Sequence, residues 1–207
     1  LDEGYGRVSV DMILQGAGAS KGSFYHYFNS KEDLVDVMIK KMLDPVYGRI
    51  SDVLASSMGA VAKLNESFSI AYHWRSDNAK VLNFLLLSFW NESNLVVRHK
   101  MKKWCMERDK ALLAQIIDQG VSEGVFSVEE PEDVAELIVY MGAGVWESVA
   151  SLFCSTGDVS EFLSRAEKKV VLFDRILAAI LGLEEGSIRS FDLRGVASAL
   201  TGSGIYP

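Results

Sequence analysis

The chain has 207 residues, 49% of them hydrophobic and 24% charged, with a formal net charge of −7. That is long enough for one large or two modest domains with a real core, and ordinary Pro and Ser usage argues against disorder. The acidic balance and a pI near 5.0 run against a generic nucleic-acid binder, whose domain has a pI above about 9. Residues 1–44 carry five basic and seven acidic side chains, so most of the excess acid lies beyond them.

In chain order, Ser9 is the expected N-cap of a short helix through Gln15, with Val10, Ile13 and Leu14 at apolar spacing. The small residues Gly16-Ala17-Gly18-Ala19 allow two helices to meet closely at a sharp angle. Ser20 then caps a second helix through Phe28, about two and a half turns at 3.6 residues per turn. Phe24 and Phe28 share its inward face. Lys21, Gly22, Ser23, Tyr25 and His26 are left outside, where they suit phosphates and base edges better than a core. Ser30 opens a third helix, with Glu32 and Asp33 at the positive end of its dipole. Its apolar repeat, Leu34, Val37, Met38 and Met42, ends at Asp44-Pro45. Pro45 is expected to stop or kink the helix, giving domains of 1–44 and 45–207.

Beyond Pro45 every periodic segment reads as helix: Val46 to Met58, Val61 to Trp74, Asn78 to Trp90, and Leu95 to Gly120. Asn78 to Trp90 is apolar nearly all round and so expected to be buried. Pro131 sits in the first turn of another helix, with Glu132 and Asp133 beside it. Ser160 is the expected cap of the last long helix. Ser187 to Leu200 can form one more. No alternating strand pattern and no internal repeat appears, so the fold class is all-α.

The run Tyr5-Gly6-x-Val8-Ser9-Val10-Asp11-Met12-Ile13, then Ala17-Gly18-Ala19-Ser20-Lys21-Gly22-Ser23-Phe24-Tyr25-His26-Tyr27-Phe28, then Ser30-Lys31-Glu32-Asp33-Leu34, closely resembles the DNA-binding domain of the TetR family of bacterial transcriptional regulators. A dozen positions agree in type and spacing across three successive helices. The resemblance implies an N-terminal three-helix, helix-turn-helix domain over 1–44, its first helix represented only by the tail Leu1-Asp2-Glu3-Gly4-Tyr5. It also implies a larger helical ligand-binding and dimerisation domain over 45–207. Carried over by position, Lys21, Gly22, Ser23 and His26 approach base edges, while Ser9, Tyr25, Tyr27 and Lys31 hold phosphates.

The implied function is a ligand-responsive regulator, a repressor, that binds a palindromic operator as a homodimer. Its dimer interface is expected from the helices near 132–153 and 160–182, where Gly142-Ala143-Gly144 permits close approach. A small apolar or aromatic effector is expected in a body pocket among Trp74, Phe89, Met101, Trp104 and Trp146, with Tyr72 and His73 as polar handles. Arg98, Lys100, Lys102, Lys103, Arg108 and Lys110 read as a solvated face. The rival reading is a helical small-molecule-binding or interaction protein that no longer binds DNA.

Catalysis is not expected. There is no GxSxG elbow, HExxH pair or Walker-type loop, and His26, His73 and His99 are scattered. No cofactor or metal is expected either, since Cys105 and Cys154 are too few for a disulfide framework or a metal knuckle. No apolar run reaches the roughly 18–20 residues that span a bilayer, and no signal peptide is expected, so the cytoplasm is the expected compartment and no membrane partner is implied.

Overall fold

The structure, a computed structural model, describes residues 5–77 and 94–191. These form seven helices: α1 Val10–Ala17, α2 Lys21–Tyr27, α3 Lys31–Ala55, α4 Ala60–Asp77, α5 Leu95–Ser122, α6 Pro131–Ser155 and α7 Val159–Leu181. The segment expected as a helix over 78–90, including Phe89, lies outside the described residues, as do Leu1 to Gly4 and everything after Phe191.

Each helix of the head starts on a serine. The hydroxyls of Ser9, Ser20 and Ser30 accept from the backbone N–H groups of Met12 (3.2 Å), Ser23 (3.1 Å) and Asp33 (3.1 Å), satisfying donors that the first turn leaves free. The α1–α2 turn closes on Gly18 at φ 62°, where Ala19 N–H donates to Leu14 O at 3.0 Å. That left-handed backbone favours glycine. α1 runs two residues past Gln15, so the turn is shorter than the small-residue run suggests.

Pro45 does not end α3. The helix continues ten residues beyond it, absorbing the expected separate helix from Val46. An interior proline costs about 3 kcal/mol or more. Against that, Val35, Ile39, Leu43, Val46, Tyr47 and Ile50 are buried along one continuous face on both sides of it. Burying one such side chain contributes about 1.5–3 kcal/mol, so packing outweighs the missing hydrogen bond. The face meets Ile70 of α4 and Val97 and Met101 of α5 in one cluster.

A second cluster joins α4, α5, α6 and α7 around Leu64, Ile117, Ile138 and Leu177. A third, around Tyr72, Ala150, Phe153 and Phe162, closes the far end of α6 against α7. Asp158, not Ser160, caps α7: its carboxylate accepts from Glu161 N–H at 2.7 Å. Residues 187–191 are not helical. Asn65 holds them from both sides, donating to Ser187 O and accepting from Arg189 N–H, both at 2.9 Å. Asp174 accepts from the backbone N–H and hydroxyl of Ser190. Such side-chain clamps give a non-helical segment the bonds a helix would have made internally.

The α5–α6 corner is built on a close approach. The Phe126 ring is buried and lies directly over Gly120, where an added Cβ would fall 2.0 Å from a ring carbon. Gly120→Ala is therefore expected to lower the unfolding free energy by about 1–3 kcal/mol, as overpacking does, seen as an earlier urea midpoint. An unchanged midpoint would mean that the ring swings aside.

Candidate nucleic-acid interface and body cavity

Helix α2 buries only Phe24, which touches the half-buried Phe28 at 5.3 Å between ring centroids. Lys21, Gly22, Ser23, Tyr25, His26 and Tyr27 are all exposed. Tyr25 and Tyr27 keep 57% and 72% of their surface in solvent, too much for packing rings. A Cβ built on Gly22 would meet only the Ser20 hydroxyl, at 3.9 Å, so packing does not require glycine there. Lys21 forms an ion pair with Asp11 at 2.9 Å, and both side chains are 67% exposed. The Asp11 carboxylate holds the Lys21 ammonium above its ordinary pKa. So exposed a pair contributes little to stability, and another anion can replace Asp11 at little cost.

Lys31 is placed differently. Its ammonium donates to the carbonyls of Tyr5 (2.8 Å) and Val8 (2.9 Å) and lies 3.9 Å over the Tyr5 ring. The Tyr5 hydroxyl donates to Glu32 at 2.5 Å, and its backbone N–H donates to Asn94 at 2.7 Å. Burial first, then the Glu32 carboxylate, pushes the Tyr5 hydroxyl pKa up. The Tyr5 hydrogen bond in turn holds Glu32 below its usual range. Lys31 thus ties the segment before α1 to the start of α3, and Asn94 ties the same segment to α5. Ser9 is exposed and caps α1.

Between α3, α4, α5, α6 and α7 lies a cavity of about 280 Å³ with a mainly apolar wall. Trp74, Met101 and Trp146 line it. Trp104 does not; it stands behind Tyr47, edge-on at 5.0 Å, with the Arg108 guanidinium 4.2 Å above it. Tyr72 packs among Val149, Ala150 and Phe162, away from the wall. His73 is exposed, with Nδ1 2.8 Å from the Ser69 carbonyl one turn back. The wall also includes Tyr47, Ser67, Phe68 and Asp109, none anticipated from sequence. The Tyr47 hydroxyl donates to Asp109 Oδ1 at 2.6 Å, and burial drives its pKa up, with Cys105 and Asp109 adding to the shift. No cluster of three or more His, Cys, Asp or Glu able to hold a metal occurs among the described residues.

Residues 1–38 match the family described as bacterial regulatory proteins, tetR family. In this N-terminal segment the chain is similar to the TetR family. The transcriptional repressor KstR2 of Mycobacterium tuberculosis is 26% identical over 129 residues, 60% of this chain and 62% of that protein. KstR2 of Rhodococcus jostii is 32% identical over 71 residues, 34% of this chain and 35% of that one. The transcriptional regulator AcuR of Cereibacter sphaeroides is 40% identical over 65 residues, 30% of this chain and 29% of its own. The chain therefore spans less than two thirds of these relatives. A solved Clostridium perfringens chain, named for a role in regulating fatty acid metabolism, shares the fold. Its TM-score is 0.54 at 19% identity, covering 86% of this chain and 89% of that one.

Within this fold, four of the basic residues of α5 are junction residues rather than a solvated face. Lys100 pairs with Asp36 at 2.6 Å, Arg108 with Asp44 at 3.6 Å, and Lys102 with Glu147 at 2.7 Å. Lys110 pairs with Glu136 on α6. Two of these pairs fasten α5 to α3, and two fasten it to α6. Of the group, Lys103 pairs only within its own helix, with Glu107 at 4.0 Å. Sequence shows the charges but not their partners, which lie 26 to 64 residues away. Among the described residues no helix is long and apolar enough to cross a membrane.

Lys31→Met is expected to loosen the head without any DNA present, by about 1–2 kcal/mol for two lost charge-assisted hydrogen bonds. Amide hydrogen exchange in α1 and the first turn of α3 should quicken. Exchange equal to that of the unaltered protein would return Lys31 to the role of a free phosphate contact.

Proposed function

We propose that this protein is a ligand-responsive transcriptional repressor that binds palindromic operator DNA as a homodimer and lets go when a small apolar or aromatic effector fills the body cavity. The observation that carries this reading is the outward flank of α2: six consecutive-turn positions, exposed and rich in hydroxyl, amine and imidazole groups, on a helix that buries Phe24 alone. The names of the relatives, repressors and a regulator, agree with it. The activity is one of binding, not catalysis.

In this reading Lys21, Gly22, Ser23 and His26 meet base edges. The bare Gly22 lets the backbone come close to the groove. Ser9, Tyr25 and Tyr27 hold phosphates, and Lys21 exchanges Asp11 for the negative field of the duplex. Lys31 acts at one remove, by holding the segment that carries Ser9. A single head with so few cations binds weakly, which is why two half-sites one turn of DNA apart are needed.

The surface for pairing is the outer side of α6 and α7. Leu137 and Tyr140 on α6 and Leu172 and Ile176 on α7 are 39–62% exposed at helical spacing. A Cβ on Gly144 meets nothing within 4 Å, whereas one on Gly142 would already touch Phe173 of the same subunit. So Gly144 has room to receive a partner helix. Apolar side chains of this size, exposed together on two adjacent helices, mark an association face.

Release follows from α3. Its first half carries the head, and its second half puts Leu43, Val46, Tyr47 and Ile50 in the cavity wall. An effector that binds better when this wall is displaced shifts the population toward heads spaced wrongly for successive major grooves. It does so only by its difference in affinity for the two states.

Fluorescence anisotropy with DNA flanking the protein's own gene tests the proposal. Tyr25→Ala is expected to weaken binding by about 1 kcal/mol or more with an unchanged thermal melt. An unchanged titration curve would remove Tyr25 from the interface. If the unaltered protein also failed to bind any flanking DNA while keeping its fold, the alternative of a helical ligand-binding protein without DNA activity would stand instead. Leu172→Glu is expected to yield monomers in sedimentation equilibrium and to lose operator binding with them, because a charge is then forced into the pairing face. A dimer that survived this change would move the interface elsewhere.

A further inference from the structure

We propose that the body cavity takes an uncharged, largely apolar ligand whose single polar oxygen hydrogen-bonds to Ser67. Ser67 lies on α4 in the cavity wall, its hydroxyl is shielded from water, and it has no hydrogen-bond partner. A helical serine has a ready internal acceptor one turn back. Ser51 uses it, donating to Tyr47 O at 2.8 Å, and Ser155 uses it, donating to Ser151 O at 2.9 Å. Ser67 does not. Covering a hydroxyl without a partner is costly, and alanine at the same place would avoid the cost and favour the helix. Rotation about χ1 toward the cavity, whose wall Ser67 helps to form, lets an entering guest satisfy that hydroxyl.

The wall also determines the charge of the guest. Among the described residues it contains two cations, Arg98 and Lys102, and two carboxylates, Asp109 and Glu147. These cancel. Lys102 is paired with Glu147, and Asp109 already accepts from Tyr47. An ionic guest would have to leave water for a mainly apolar chamber with no net opposite charge, which is strongly unfavourable. The remaining surface, with Phe68, Trp74 and Trp146, suits a flat or aromatic body. The volume of about 280 Å³ is near the lower end for small-molecule sites.

This inference rests on reading the cavity as the effector site, but its test contains no DNA. Failure to bind an operator and failure to bind this ligand class are therefore separate results. Three probes of one shape differ only in their polar group: 4-phenylphenol, biphenyl and biphenyl-4-carboxylate. Trp74 and Trp146 in the wall make their fluorescence the readout, with calorimetry for affinity. The phenol is expected to bind about tenfold more tightly than biphenyl, the scale of one well-made buried hydrogen bond, and the carboxylate most weakly. In Ser67→Ala the advantage of the phenol should vanish while biphenyl binds as before. The empty Ser67→Ala protein should melt at the same temperature or higher, since it loses an unpartnered hydroxyl. Tightest binding by the carboxylate, a phenol preference that survives in Ser67→Ala, or no binding by any probe would each overturn the proposal. A lower melting temperature for the variant would do so too, by revealing a partner for the hydroxyl in the empty protein.

Discussion

One helix belongs to two parts of the molecule. α3 begins directly behind the exposed helix α2 and ends in the wall of the body cavity, and its buried face from Val35 to Ile50 runs unbroken past Pro45. Because a helix is stiff over a few turns, the head cannot turn independently of the cavity wall while that face stays packed.

The ion pairs reinforce this arrangement at modest strength. Asp36 and Asp44 on α3 meet Lys100 and Arg108 on α5, and Tyr5 reaches Asn94 at the start of α5. Each pair is partly exposed and so contributes little on its own. A junction made of several weak contacts around one apolar seam holds a preferred angle without locking it. A large buried ionic junction would not have that property, because breaking it strands charges in a dry interior.

The head illustrates how the same residue types take opposite duties. Lys21 and Lys31 both stand in the motif that resembles a DNA reader, ten residues apart. Lys21 is at the first turn of a helix with open surroundings and an exposed ion pair to Asp11. Lys31 faces two backbone carbonyls and an aromatic ring, which use its charge internally. The segment that wraps back over Lys31, residues 5 to 8, decides this, and no spacing rule reports it.

Much of the architecture was legible from residue patterns. Ser9, Ser20 and Ser30 announce three helix starts because an N-cap acts on its own first turn, a local interaction that needs no partner elsewhere. The inward placing of Phe24 and the outward placing of Tyr25 follow from helical period alone. The last two long helices follow from period and Pro131, as 132–153 and 160–182 against the observed 131–155 and 159–181, and Trp74, Met101 and Trp146 were the adaptable apolar groups to suspect around a cavity. What escaped depended on contacts between distant segments. The passage of α3 through Pro45 is decided by burial against α4 and α5, which outweighs a local breaker. The withdrawal of Trp104 behind Tyr47, the duty of Lys31, the partners of the α5 cations and the unpartnered hydroxyl of Ser67 are all set by which surfaces meet. By itself, the order of residues determined where helices start and which faces are greasy, since those preferences act within a turn or two. Only the tertiary structure decided which polar groups are used up and which remain to be used, because that depends on neighbours brought from dozens of residues away.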